Sequence, residues 1–372
     1  MIRIDDITLH MGPHTLGAPD NLENAILEFI NAAEKSLEVA VQELESRPIA
    51  EALIDARRRN VKVRVVLEGD YLIDRDEAED PFEQGGAHEP NRELLNAMLR
   101  SNIDVRTDYN PEIFHQKFVV RDIGVDSSDQ RAVLTGSTNF TPTGTHKNLN
   151  HVLTIRNGYV AREYAKEFDE IWAGTFGTAR ARHEPKPRRS RVSGVRVKVL
   201  FAPDHAPEME IMKQMLKARE RIDFAIFTFA QSSGIDDAMI ALQKADLPVR
   251  GVLDAGQGNR DWAATRPVAN AGAELHLASR RNGLGKLHHK LMVIDRKVII
   301  AGSFNYTGPA NALNDENIIV IGELGEQREQ GRENQERLAA FAGAEIDRII
   351  AAHGMPAEAD PTAHDPSLAD DG

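Results

Sequence analysis

Two stretches of the chain carry the same unusual set of polar residues. In one, His288 and Lys290 lie two residues apart beside the apolar run Leu291 to Ile294. Asp295 follows the lysine by five residues, and Gly302-Ser303-Phe304-Asn305 comes next. In the other, His115-Gln116-Lys117 precedes Asp122 and Gly136-Ser137-Thr138-Asn139. Side chains alternate across a strand, so each histidine and its lysine face the same side, ~6–7 Å apart. Burying such charge among Phe, Val, Ile and Met is costly unless something pairs with it. The partner implied is an anion held between the two copies. Two imidazoles, two ammonium groups, two hydroxyls and two amides around one point describe a phosphate site. Lys117 and Lys290 would supply positive charge. Ser137, Asn139, Ser303 and Asn305 would supply hydrogen-bond donors. The histidines supply chemistry: one neutral imidazole attacks phosphorus, while the other protonates the leaving oxygen and then activates water. Two lysines do the neutralising that a metal would otherwise do. Neither motif has a carboxylate cluster of metal-site type, and no cofactor is implied.

The elements that must position these residues also come in pairs. Apolar residues at helical spacing from Leu22 to Ala33 predict a helix that Asp20 could cap. Leu37 to Val41 predicts a strand, Ser46-Arg47-Pro48 a capped helix start, and Val61 to Leu67 a second strand. Arg92 to Arg100 predicts a short helix, Ile113 to Asp122 the motif strand, and Ile123 to Gln130 a hairpin loop. Arg131 to Thr135 predicts the return strand and Gly158 to Ala173 an amphipathic helix. The second half repeats this order. His288, Lys290 and Asp295 lie 173 residues after His115, Lys117 and Asp122, and Asn305 lies 166 after Asn139. Ala225 to Phe229 matches Ala40 to Leu44, and Ile346 to Ile350 matches Phe168 to Trp172. A duplication with every element in order points to one pseudo-symmetric fold.

The duplicated motif resembles the phospholipase D superfamily from about residue 20 to 350. The resemblance implies an α/β fold of two pseudo-symmetric α/β/α halves, each a mixed sheet flanked by helices, with one active site between them. It also implies metal-independent phosphodiester chemistry through a phosphohistidine. On that pattern His115 is the nucleophile and His288 the general acid/base. Lys117, Lys290, Asn139 and Asn305 bind phosphate, and Asp122 and Asp295 are supporting residues of a structural kind. The family often places an acid eleven residues after the motif asparagine. Here that position is Glu316 in the second copy but Asn150 in the first. A carboxylate raises the basicity of its histidine partner and an amide does not, so the two histidines should differ.

The expected organisation is an N-terminal half at 1–179, a basic linker at 180–198, a C-terminal half at 199–354, and a disordered acidic tail at 355–372. The linker holds eight Lys or Arg and two Pro; it reads as a flexible tether, with a nucleic-acid or anionic-lipid contact as the sharper alternative. The acid-rich stretch Asp70 to Glu83 reads as a solvated loop, with a lid as the alternative. His289 should point away from His288 and Lys290, and His146 and His151 read as surface or satisfied histidines, with a place in the pocket lining as the alternative. The net charge of −13 argues against general affinity for DNA or anionic membranes. The sequence has no cysteine, so disulfides and thiolate chemistry are excluded. No apolar run is long enough for a transmembrane helix. The N-terminus lacks the pattern of a signal peptide, and a cytoplasmic protein is expected. A phospholipid substrate is favoured slightly over nucleic acid, with a catalytically inactive phosphate-binding scaffold as a third reading. One chain carries both motifs, so a monomer could complete a site.

Overall fold

A computed structural model describes residues 1–73, 80, 82–124, 130–180 and 187–357. The duplicated strand patterns form two nine-stranded sheets. The main path of the first runs Ile2–Ile4, Ile7–Gly12, Asn148–Arg156, Ala132–Gly136, Lys117–Arg121, Ser36–Val41, Lys62–Leu67, Asp104–Thr107. The second runs Gly354–Pro356, Glu274–Ala278, Val249–Asp254, Ile222–Ile226, Lys290–Ile294, Val298–Gly302, Glu316–Ile321, Val195–Ala202, Arg189–Val192. In each sheet three neighbouring strands run parallel and the motif hairpin joins them antiparallel. The two halves therefore share one strand order, as the repeat requires.

Burial follows the alternation. Val119 packs outward under the helices Leu22–Asn31, Arg47–Arg58 and Glu89–Arg100, in a core with Ile26, Leu53 and Val65. Met292 and Ile294 pack in the same way under Pro207–Met215, Ile235–Lys244 and Thr265–Asn270. Phe118 and Val120, like Leu291 and Val293, turn inward instead. There the long helices Gly158–Trp172 and Glu329–His353 complete one core that draws on both sheets. Tyr164 of the first half stacks edge-on against Phe201 of the second, 5.1 Å between centroids. Each such buried side chain contributes roughly 1.5–3 kcal/mol. The shared core thus fixes the halves in one orientation.

Three expectations change. The stretch 180–198 is not a tether throughout: Arg189–Val192 and Val195–Ala202 form an edge hairpin on the second sheet. Three of its cations are engaged in ion pairs, Arg191 with Glu323 and Glu326, Arg196 with Glu323, and Lys198 with Glu210. Residues 181–186 lie outside the described residues. The first helix is capped by Asn21, which accepts from the Asn24 N–H, while Asp20 accepts from the N-terminal ammonium and the Met11 N–H. The tail starts later than 355, because Gly354–Pro356 pairs with Glu274–Ala278 and Ala357 donates to the Leu275 carbonyl. The expected disorder from 358 onward, half of the acidic loop (74–79 and 81) and most of the first hairpin loop (125–129) fall outside the described residues. No helix among the described residues is long and apolar enough to cross a membrane.

Candidate active site

The motif strands are shorter than the alternation suggests. Regular pairing begins at Lys117 and Lys290, leaving each histidine on the segment just before its strand. Those segments are held by the opposite half. Lys286 and Leu287 pair in parallel with Asn148 and Leu149, and the His288 N–H donates to the Leu149 carbonyl at 2.9 Å. Phe114 bridges Asp315 in the same way, and the His115 N–H donates to the Asp315 carbonyl at 3.0 Å. Two buried carboxylates add a second hold. Glu68 accepts the Phe114 N–H and Asp254 the Leu287 N–H, each from the residue preceding its own half's histidine. Sequence reasoning missed Glu68 and Asp254. Both end the parallel strands that the repeat aligns with one another, which was the available signal.

The result brings His115 and His288 together, with ring centroids 6.5 Å apart and planes at 73°. Each Nδ1 is bound to protein across the interface. His115 Nδ1 lies 2.8 Å from Glu316 Oε2. His288 Nδ1 lies 3.0 Å from Asn150 Oδ1 and 3.1 Å from the Ser137 carbonyl. Acceptors at both Nδ1 atoms put the proton there and leave Nε2 as the reactive nitrogen. The trailing residues thus serve the histidine of the other half, and the carboxylate belongs to His115.

Lys117 Nζ donates to Gln42 Oε1 and the His115 carbonyl, at 3.0 and 2.9 Å. Lys290 Nζ donates to the His288 carbonyl and lies 5.1 Å from the centre of the Phe227 ring. Asn139 and Asn305 line the same cleft of about 510 Å³, with Glu43, Tyr71, Phe227 and Lys286 around them. Ser137 and Ser303 do not reach this space as substrate ligands. Both are fully buried, and their hydroxyls donate to Asn150 and Glu316. Gly136 and Gly302 allow this tight return: a Cβ on either would meet a backbone oxygen of the next strand at 2.3 Å, and φ is 152° and 149°.

Asp122 and Asp295 lie elsewhere, at the far ends of strands about 16 Å long. Asp122 Oδ1 accepts from the N–H groups of Glu34, Lys35 and Ser36, and Asp295 accepts from those of Arg219, Glu220 and Arg221. They tie down the turns that launch neighbouring strands and take no part in the cleft. His146 is half-buried, with Glu23 3.8 Å away. His151 and His289 are buried behind the site, their Nδ1 atoms 3.1 Å apart. Among the described residues, no group of three or more His, Asp or Glu side chains is placed to hold a metal ion.

Burial governs the electrostatics. Burial, then Lys117 and Lys290, hold His115 well below the ordinary imidazole value. Burial, then Lys290 and Lys117, do the same to His288. Burial pushes Glu316 up to about 8 and Lys117 down to about 8. Burial and the neighbouring Lys117 hold Lys290 well below its usual range. A phosphodiester anion between the two ammonium groups would offset their cost.

The family model described as cardiolipin synthase, PLD-like domain, matches residues 26–172 and 211–333. A mitochondrial cardiolipin hydrolase from Xenopus laevis is 29% identical over 160 residues, which is 43% of this chain and 63% of that protein. The chain thus spans a little under two thirds of that relative's length. A phospholipase D from Rickettsia bellii (strain RML369-C) is 30% identical over 149 residues, 37% of this chain and 70% of that protein. The solved structure of a phosphatidylserine synthase from Haemophilus influenzae Rd KW20 shares the fold with a TM-score of 0.66 at 13% identity. It covers 96% of this chain and 88% of that one. With the family model matched across both halves, the chain belongs to the PLD-like domain family of the phospholipase D superfamily.

Proposed function

We propose that the chain is a metal-independent phosphodiesterase that works by double displacement. The observation that carries this reading is the facing pair His115 and His288, each with Nδ1 bound and Nε2 free for one phosphorus between them. His115 Nε2 attacks phosphorus; a P–N bond forms as the P–O bond to the leaving alcohol breaks. For this step His288 is the imidazolium, carrying a proton on Nε2 as well as on Nδ1, a state that the negative charge of the bound diester favours; it gives the Nε2 proton to that oxygen. His288 then takes a proton from water, the water oxygen attacks phosphorus, and the P–N bond breaks to release a phosphomonoester. The Glu316 carboxylate behind His115 supports its role as nucleophile, because a phosphoimidazole must share or lose its Nδ1 proton. Lys117, Lys290, Asn139 and Asn305 hold the non-bridging oxygens.

Phospholipid is the favoured substrate. Glu43 and Glu112 line the cleft, and Glu68 and Asp70 lie near Tyr71 at its wall. Acids so close to a single phosphate site disfavour a polymer with a phosphate on every residue and tolerate an isolated diester. A nuclease is the second reading, resting on Lys286, an exposed cation on the cleft rim. The test is hydrolysis of phosphatidylcholine and cardiolipin vesicles, single-stranded DNA, duplex DNA and RNA, all in EDTA. Lipid turnover with an acid-labile, alkali-stable phosphoprotein that His115→Ala abolishes is expected. Chelation that stops turnover, or an adduct that survives His115→Ala, refutes the mechanism; cleavage of nucleic acid alone refutes the substrate.

A further inference from the structure

Behind the two catalytic segments lies a second pseudo-symmetric network whose halves differ in kind. In one, Asn317 Nδ2 donates to Gln116 Oε1 at 2.7 Å, and Gln116 Nε2 donates to Glu167 at 3.1 Å. The repeat offsets place His151, His289 and Glu345 at the matching positions of the other half. There the rings are parallel within 2°, with Nδ1 atoms 3.1 Å apart, and His289 Nε2 lies 3.5 Å from Glu345 Oε1. Two amides that cannot titrate in one half are two imidazoles that can in the other. Those imidazoles sit in the half whose trailing residue is Asn150, and they reach it. Ser137 Oγ lies 3.2 Å from His151 Nδ1 and donates to Asn150 Oδ1 at 2.7 Å, and that oxygen accepts from His288.

Two neutral imidazoles facing through Nδ1 carry one proton between them. With Glu345 drawing the His289 proton to Nε2, the shared proton sits on His151. His151 then donates toward Ser137 as well as His289, so the Ser137 hydroxyl must turn its own hydrogen to Asn150. This fixes the amide oxygen toward His288. A further proton on the pair reverses the order: His289 fills the axis with its own hydrogen, His151 Nδ1 becomes an acceptor, and it competes with Asn150 for the Ser137 hydroxyl.

We propose that His151 and His289, backed by Glu345, are positioning residues for His288, and that a single proton taken up by the pair disables that positioning. The charged groups facing the pair are Lys290 beside it and Glu345 and Arg348 on the long helix; His353, at that helix's end, interacts with Glu345 and Arg348. Burial is the largest influence on His289 and lowers its proton affinity, as Arg348 and Lys290 do, while Glu345 opposes them. Titration therefore falls below the ordinary histidine range. The inference rests on the phosphodiesterase reading, and two readouts keep them apart.

The first readout is log(kcat/KM) against pH. Below the midpoint of the pair, the native limb should steepen by one proton. His151→Asn with His289→Gln, which copies the amides of the other half, should lose that steepening, and Glu345→Gln should move it to lower pH. The Glu345→Gln arm carries the test if the double variant does not fold. The second readout is the 15N imidazole spectrum of His288, which needs no turnover: its Nδ1 resonance should shift with the pair's titration in the native chain and not in the double variant. Absence of turnover at every pH would sink the phosphodiesterase reading while the spectra still decide this one. A native limb unchanged in folded Glu345→Gln, or a His288 signal blind to the pair, overturns the proposal.

Discussion

Replacing Glu316 with Gln keeps the shape of a fully buried side chain and removes its charge. The carboxylate oxygen lies 2.8 Å from His115 Nδ1, so the charge centres are about 4 Å apart. At an effective dielectric of about 20 that attraction is about 4 kcal/mol. It matters only when positive charge develops on the ring during attack. Loss of all of it slows turnover about 10³-fold, since each 1.4 kcal/mol or so is a factor of ten. Stability moves the other way. The Glu316 carboxyl is raised from 4.5 to about 8, so the native state holds its proton more tightly than the unfolded state does. The corresponding stability is fully present below pH 4.5 and is lost as pH rises toward 8. At pH 7 that loss approaches about 3 kcal/mol. Turnover by the native protein should rise with pH toward about 8 as Glu316 ionises, and Glu316→Gln should flatten both that limb and the pH dependence of melting. The assays are steady-state hydrolysis and thermal melts from pH 5 to 9. A variant retaining more than a tenth of native turnover, or melting with the native pH dependence, would refute the reasoning.

Two further expectations test neighbouring parts of the site. Lys117→Met and Lys290→Met each remove a buried ammonium; turnover should fall about 10²–10³-fold while the melting temperature holds or rises, because an uncompensated buried charge is removed. A lower melting temperature with native turnover would mean that the lysines serve packing alone. Gly302→Ala should destabilise the chain by several kcal/mol by urea unfolding, since its Cβ would overlap the Asn317 carbonyl; a change below about 1 kcal/mol would show that the strand can give way.

The chemistry-bearing residues were legible because a charge on a core strand is costly and serves packing poorly, and because it occurs twice. His115, Lys117, Asn139, His288, Lys290 and Asn305 come together around the cleft as the motif spacing required. The partner of Glu316 was not legible, since the contact spans 201 residues and depends on how the halves dock. The serines mislead for a related reason: the motif spacing makes Ser137 and Ser303 phosphate ligands, but the carboxamide and carboxylate that claim them are set by strand register. The basic stretch misled through composition. Arg191, Arg196 and Lys198 look like a linker until Glu323, Glu326 and Glu210 are placed opposite them. Gln42 and Phe227, at matching positions of the repeat, carry the polar and aromatic supports of the two lysines; the aligned strands held that information, and apolar pattern alone hid it.

The exchange of the segments before His115 and His288 has a consequence for descent. In a two-fold homodimer of one half, each protomer would lend its histidine segment to the other, and every substitution would appear on both sides. Nucleophile and acid could then differ only in occupancy, never in sequence. Covalent linkage of the copies removes that constraint. Glu316 against Asn150, Phe227 against Gln42, and the imidazole pair against the amide pair are differences that only a fused chain can inherit. The division of labour proposed for the two histidines would thus follow from duplication, through the residues around them rather than through the motif itself.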